Sequence, residues 1–494
     1  MDRGRSGGGV KTAVRVLRDT YLDSVRQLLG ARAMLKAEGV EWATAVMATP
    51  ANLEALRQEG FEAPQASPYD LVLAVRADDP VEAFAQGERA MFGAHEAGPV
   101  DGPVEQHPRC LEEALARQPG STIAAISVPG EYAALEAHKA LSHDLDVLLF
   151  SDNVSVADEI ALKEHAVRRG RLLMGPGAGT AVLAGVGLGF ANVVRGGPVG
   201  VVAAAGTGAQ EVMCLLERCG VGVSQVIGVG GRDLTRAVGG RMACQAVRML
   251  DDDPATELIL LVSKPPDEQV ARRVVAAAHR TPLVAVLVGA DGDTLEGGVV
   301  RAVELLGRPA PCFDRRYGPS MELAVARLAP ARTTVRGLFS GGTLCYEALV
   351  LLSRALGPVW SNTPLDPRYR LPAPPRSHVC LDLGEEEYTR GRPHPMIDPE
   401  ARLELLRQSG PDVAVVLVDV VLGLGAHPDP AGILAPELAG LDGPQVVAYV
   451  LGTELDPQGY QDQVHKLAEA GCIVTESAAR AALTAAAIAT RKAA

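Results

Sequence analysis

Aromatic residues make up only 4% of this 494-residue chain, too few for the stacking platforms on which proteins hold single-stranded nucleic acid. Positive charge is also scarce. Lys and Arg number 47 against 60 Asp and Glu, a formal charge of −13, and no dense Lys/Arg run occurs. A polyanionic polymer needs a local basic patch, so nucleic acid is not an expected partner. The eight cysteines, Cys110, Cys214, Cys219, Cys244, Cys312, Cys345, Cys380 and Cys472, include no C-x-x-C pair and no Cys/His cluster. That argues against a disulfide framework or a zinc site and for reduced thiols, with no metal expected. Residues 1–10, MDRGRSGGGV, lack the apolar core of a signal peptide, and the longest apolar run, near 413–424, is short and contains Asp419. It reads as a buried strand rather than a membrane span, so a cytoplasmic protein with no membrane partner is expected.

Apolar residues supply 47% of the chain, with 53 Gly and 34 Pro, which fits an α/β protein with many turns. The length is too great for one core. Residues 11–93 alternate strand-like and helical stretches in the manner of a small ferredoxin-like or regulatory α+β domain, and a Gly/Pro-rich linker follows at 93–107. From 121 onward strands alternate with helix-length segments, the pattern of parallel sheets whose ligands gather at the carboxyl ends of the strands.

The chain is organised around residues 198–240. An apolar strand at 199–203 runs into Ala204-Ala205-Gly206-Thr207-Gly208 and then a helix. A helix start offers unpaired N–H groups and the positive end of the dipole, and small residues let an anion approach. Residues 335–352, VRGLFSGGTLCYEALVLL, repeat the grammar, and Gly206-Thr207-x-x-x-Glu211 matches Gly342-Thr343-x-x-x-Glu347 in spacing. A lone glycine turn is more often simple tight packing, but a duplicated one suggests two helix starts facing one ligand. The expected phosphate-binding residues are Ala205, Gly206, Thr207 and Gly208 with Ser340, Gly341, Gly342 and Thr343. Cys345 falls in the first turn of the second helix, where a thiol pKa could be lowered, although burial is the commoner fate.

Other candidates lie at strand ends. Ser127-Val128-Pro129-Gly130, Ser151-Asp152-Asn153 and Gly175–Thr180 each serve as turn chemistry, and their shared position points to a common pocket with Asn153 as a substrate contact. Lys264 in Ser263-Lys264-Pro265-Pro266 stands at a ligand edge, a solvated lysine being the equal alternative. Two His-Pro pairs, His394 beside Arg392 and Asp398, and His427 beside Asp429, are too widely spaced for a metal site and read as structural or substrate-orienting.

SVPGEYAALEAHKAL, FSDNV, ALKEHA, LLMGP, FANVV, GTGAQEV and GVGGRDL, continued by SKPP, GLFSGGTLCYEA, GRPHPMIDP, VLVDVVLGLGAHPDPA and GTELDPQGY, resemble the FdrA family, which is similar to a fusion of ligase pieces from the succinyl-CoA synthetase superfamily. The resemblance covers nearly the whole chain. It implies an α/β fold with several parallel-sheet domains: an N-terminal α+β domain and linker at 1–110, a Rossmann-like CoA-binding domain at 111–195, a flavodoxin-like ligase domain and connector at 196–332, and a second ligase domain at 333–494. In the synthetases one helix start from each ligase domain cradles the phosphoryl group, as the repeat independently suggests. Three departures stand out. The region after the first ligase domain reads VGADGDTLEGG, without the histidine that the synthetases phosphorylate. An ATP-grasp domain is absent, and Gly177-Ala178 replaces the Asp-Cys or Asn-Cys pair usual in the corresponding turn.

The resemblance therefore implies one subunit of a carbamoyl- or acyl-phosphate-handling transferase, of the oxamate carbamoyltransferase type in purine catabolism, acting with other subunits on a small phosphate ester or anhydride. Such a site must hold phosphate, polarise a carbonyl and orient a nucleophile. Lys264 or Arg232 would neutralise charge, Arg392 would contact substrate, and His394 or His427 would shuttle a proton. The alternatives are an acyl-CoA ligase needing a nucleotide-binding partner, with CoA as a possible cofactor, and a non-catalytic scaffold.

Overall fold

The structure, a computed structural model, describes residues 11–22, 24–63, 65–92, 108–290, 293–389 and 393–492. Two compact units contain them, Met1–His107 with Glu386–Pro393, and Pro108–Glu385 with His394–Ala494. In the first, β1 (Lys11–Leu17), α1 (Ser24–Leu35), β2 (Val40–Met47), α2 (Pro50–Gln58), β3 (Leu71–Ala77) and α3 (Pro80–Phe92) alternate. The strands pair antiparallel in the order β1-β3-β2. Central β3, LVLAVRA, is almost wholly buried and apolar but for Arg76, whereas β2 alternates in burial. Thr49 caps α2 by accepting from the Asn52 N–H, and Pro50 takes the first helical position, where no N–H is needed.

The second unit opens with α4 (Leu111–Arg117) and a parallel sheet of order β4-β5-β6, made by β4 (Ile123–Ile126), α5 (Gly130–Ser142), β5 (Asp146–Leu149), α6 (Val156–Arg169) and β6 (Leu173–Met174). A hairpin of β7 (Thr180–Leu183) and β8 (Val186–Gly189) joins the next sheet, which thus begins before residue 196. That sheet runs β12-β11-β9-β10-β7-β8, with β9 (Gly196–Ala203), α7 (Gly206–Arg218), β10 (Val223–Gly228), α8 (Arg241–Asp252), β11 (Leu258–Ser263), α9 (Glu268–Val275) and β12 (Leu283–Leu287). Then α10 (Leu295–Leu305), β13 (Arg316–Tyr317) and α11 (Met321–Arg327) lead to a seven-stranded sheet of order β13-β19-β18-β17-β14-β16-β15. Its elements are β14 (Thr334–Phe339), α12 (Gly342–Leu356), β15 (Val359–Trp360), β16 (His378–Asp382), α13 (Glu386–Thr389, part of the first unit), α14 (Glu400–Arg407), β17 (Val413–Val421), α15 (Pro430–Ala439), β18 (Gln445–Leu451), α16 (Tyr460–Glu469), β19 (Ile473–Thr475) and α17 (Ala478–Ala489). All its pairings are parallel except β13 with β19. Strands covered on both faces need apolar residues throughout, and every residue of β11 and β17 is buried. No helix among the described residues is long and apolar enough to cross a membrane.

The repeat seen in sequence becomes a packed core in which α7, α10, α12 and α17 touch one another. The repeated glutamates serve it by crossing over. Glu211 of α7 accepts from the Ala478 N–H at the start of α17, while Glu347 of α12 accepts from the Leu295 N–H at the start of α10. Each carboxyl thus meets the positive end of a helix following the other sheet. Burial raises Glu211 from the ordinary 4.5 to about 7 and Glu347 to about 8. The Tyr449 hydroxyl donates to Glu211, whereas Glu347 Oε2 is buried without a hydrogen-bond partner. Because the folded pKa values lie above the unfolded ones, the folded state binds more protons between about pH 4.5 and about pH 7 to 8. These groups therefore cost stability progressively as pH rises through that window. At about 1.4 kcal/mol per pKa unit, replacing both by Gln should stabilise the protein relative to the wild type by several kcal/mol more at pH 9 than at pH 5. Urea midpoints at the two pH values measure this, and parallel behaviour of variant and wild type would contradict it.

Candidate functional site

The two small-residue turns meet. Thr343 N–H donates to Thr207 Oγ1 at 3.1 Å, and Cβ atoms built on Gly208 and Gly341 would lie 3.0 Å from the Thr343 and Thr207 methyl groups. Both turns follow the carboxyl ends of central parallel strands, and neither N-cap residue, Ala205 or Gly341, supplies a side-chain cap. The Thr207 oxygen accepts from Thr343, which leaves its own proton to donate. Gly206 is exposed at the first position of α7, and a Cβ there would meet open space. The first helix start is thus open to a ligand.

The second start is different. Asp419, the lone acid of β17, accepts from the N–H groups of Ser340 at 2.8 Å and Gly341 at 2.8 Å, and from the Ser340 hydroxyl at 2.9 Å. These donors, expected to hold phosphate, are occupied by a carboxylate of the chain itself, because a buried anion finds its best solvation at a helix start. Asp419 in turn pairs with buried Arg402 at 2.9 Å. A Cβ on Gly342 would come within 2.5 Å of Asp382 Oδ2, so a second carboxyl stands directly over this turn. Burial lifts Asp382 to about 6, opposed by nearby Lys264.

Lys264, just beyond β11, lies over the Tyr346 ring at 5.7 Å and is thereby brought to the same helix start as Asp382. His394 is there too. Its Nδ1 accepts from the Met396 N–H at 3.2 Å, which assigns the ring proton to Nε2. A Cβ on Gly384 would meet that Nε2 at 2.9 Å. Burial pushes His394 down to about 4, so the ring is neutral near pH 7 and a weak base. The His427 N–H donates to the Met396 carbonyl at 2.8 Å, joining the two His-Pro loops, and His427 Nδ1 accepts from the Asp429 N–H at 3.0 Å. Cys345 follows the commoner of the two fates weighed from the sequence: it is fully buried, and burial drives its thiol well above the usual range rather than below it.

Arg232 and Asn153 have neighbours of their own in this unit. Arg232 contacts Glu159 Oε2 at 2.8 Å and donates to the Val154 carbonyl at 2.8 Å, so its guanidinium is tied to α6. Arg392 lies outside the described residues. Asn153, at φ 60, sits where the turns after β4, β5 and β6 converge, as their shared position at strand ends suggests. Its carbonyl and that of Asp152 crowd the place of a Cβ on Gly130, at the start of α5. Sequence reasoning missed Asp382, Asp419 and Arg402. The available signal was a lone carboxylate in each of two apolar strands.

Comparison with known proteins places these elements. A CoA-ligase family profile matches residues 338–488, and a profile described as AllF, heavy metal-associated domain, matches residues 10–103. Over a 507-residue alignment the chain is 39% identical to the uncharacterized protein YahF of Escherichia coli K12, covering 94% of this chain and 96% of YahF. The chain belongs to the YahF family. It is also 27% identical over 260 residues to the ADP-forming succinate-CoA ligase subunit alpha of Staphylococcus aureus MSSA476, covering 49% of this chain and 82% of that subunit. Among solved structures it aligns with ATP citrate lyase from Methanothrix soehngenii in complex with citrate and coenzyme A, at a TM-score of 0.32 and 16% identity. That alignment spans 41% of this chain and 38% of the lyase chain.

This YahF relative thus carries a succinyl-CoA synthetase-like CoA-ligase domain and an N-terminal AllF-type domain. Heavy metals favour thiolate and imidazole donors. Residues 10–103 contain no cysteine and one histidine, His95, which lies outside the described residues. No group of three His, Cys, Asp or Glu among the described residues could hold a metal. The residues present do not fit a heavy metal.

Proposed function

We propose that the joined helix starts form the phosphate site of an acyl-CoA ligase of the succinyl-CoA synthetase type, in which an acyl group moves between phosphate and the thiol of CoA. The observation that carries this reading is the 3.1 Å bond from Thr343 to Thr207, which brings the open start of α7 against the start of α12. The CoA-ligase match at 338–488 and the succinate-CoA ligase relative support the acyl-CoA reading over the carbamoyl transfer expected from sequence. A phosphate oxygen attacks the thioester carbonyl, the C–S bond breaks, and the thiolate leaves and takes up a proton. Gly206, Thr207 and Gly208 hold the phosphoryl oxygens, Lys264 offsets charge, and His394 offers a neutral Nε2–H. Asp382, titrating at about 6, is suited to trading protons near neutrality. Nucleotide chemistry falls to partner subunits, and the division at 110, 195 and 332 into an N-terminal, a CoA-binding-like and two ligase-like domains forms part of this reading.

Carbamoyl transfer, in the sense of the FdrA resemblance, remains as a second reading on one observation. The chain has no histidine between His279 and His378, so phosphate cannot enter by way of a phosphohistidine in that stretch and would arrive already activated. The native complex should release CoA thiol from an acyl-CoA only when phosphate or arsenate is added. Silence in that assay, with product formed from carbamoyl phosphate and oxamate, would replace the first reading by the second.

A further inference from the structure

Helices α6, α8 and α9 and the segment 236–240 border an open cavity of about 550 Å³ on the second unit, lined by none of the residues of the turns that join α7 to α12. Five guanidinium groups line it, from Arg168, Arg236, Arg241, Arg248 and Arg273, against the single carboxylate of Glu164. The chain as a whole carries −13, so this concentration of positive charge runs against its composition. Arg168 and Arg273 have an ordinary structural reason, since they lie in the last turns of α6 and α9, where a cation suits the helix dipole. Arg241 occupies the first position of α8, the wrong end for a cation, and no acid stands in that first turn.

Of the four arginines outside α6, two are held in place and two are free. Arg241 donates to the Val238 carbonyl and pairs with Glu164 at 3.1 Å, and Arg273 donates to the Gly239 carbonyl. Arg236 and Arg248 are exposed and make no ion pair among the described residues. The N–H groups of Met242 and Ala243 at this helix start are already taken by Asp233, so the donors available to a ligand are the guanidinium forks. Such forks match the paired oxygens of phosphate groups. The volume lies within the range of small-molecule sites, roughly 300 to 1,000 Å³. No aromatic ring lines the cavity and its remaining walls are small, with Cys244, Ala237 and the glycines 239 and 240 among them. No aromatic ring is there to stack on a base.

We infer that this cavity is a binding site for a diphosphate group, recognised by charge and fork geometry rather than through a nucleobase. The inference stands on a different set of residues from the proposed acyl-transfer site. Isothermal titration of the full chain with pyrophosphate, ADP, CoA and inorganic phosphate tests it. The diphosphate-bearing compounds should bind at least 10-fold more tightly than inorganic phosphate. The double variant Arg236→Ser/Arg248→Ser should weaken their binding at least 10-fold with an unchanged melting temperature, while Gly206→Val leaves it intact. Equal affinities for pyrophosphate and ADP identify the bare diphosphate as the ligand, and a further 10-fold gain for ADP or CoA identifies a nucleotide source. Absence of diphosphate binding, or binding that survives in the double variant, would overturn the inference.

Discussion

Gly206→Val should lower phosphate-dependent turnover by about 100- to 1,000-fold, the cost of losing an oxyanion donor or its access, while leaving the melting temperature within a few degrees of the wild type. The reasoning is geometric. A Cβ at Gly206 meets no protein atom and the backbone there is not in the left-handed region, so valine strains nothing inside the fold. The space it fills is the open side of the α7 start, where the proposal puts phosphoryl oxygens against free N–H groups. Most other residues of the first turns of α7 are buried, which makes Gly206 the position where bulk reaches the ligand before it reaches the core. Turnover within 10-fold of the wild type would remove phosphate from this turn.

The largest loss of stability is expected at Lys163. Its ammonium is fully buried and all of its protons are used, by Glu159 at 2.7 Å, Asp233 at 2.8 Å and the Val229 carbonyl at 2.9 Å. Asp233 also accepts from Ala243 at 2.8 Å, so one lysine holds α6 to the start of α8. Removing it leaves two carboxylates buried without their shared counter-ion, a change that costs about 3 to 5 kcal/mol. Lys163→Met, which keeps most of the volume, should be nearly as destabilising as Lys163→Ala, because the loss is electrostatic rather than a cavity. Chemical denaturation of both variants measures this. A Met variant close to wild type would show that packing, not charge, makes the contact.

The parts of this protein that were legible in its sequence are those where local pattern and tertiary use coincide. The strands of both large sheets are covered on two faces, so their apolar runs announce them, and the α7 and α12 starts share a Gly-Thr spacing that survives in the fold as a contact. The glutamates closing that spacing were visible but not their use, since cross-capping of α17 and α10 depends on how two sheets' worth of helices pack. Asp419 was visible as an interruption of an apolar strand, yet nothing local says that it turns onto the N–H groups of Ser340 and Gly341. Cys345 shows two local signals in competition. Its place in a first helical turn favours a thiolate, and complete burial outweighs that. The arginine cavity was illegible for a simple reason: its guanidinium groups come from α6, α8, α9 and the segment between β10 and α8, so folding assembles a basic patch where no basic run exists.

The central claim is that one anion sits against the joined starts of α7 and α12. Soaking crystals of the full chain in selenate, a phosphate-shaped anion with a strong anomalous signal, tests it most directly. The account predicts a peak within hydrogen-bond reach of the Gly206 and Gly208 N–H groups and the Thr207 hydroxyl, on the side of the turn facing Lys264. A peak confined to the arginine cavity, with none at Thr207, would contradict it.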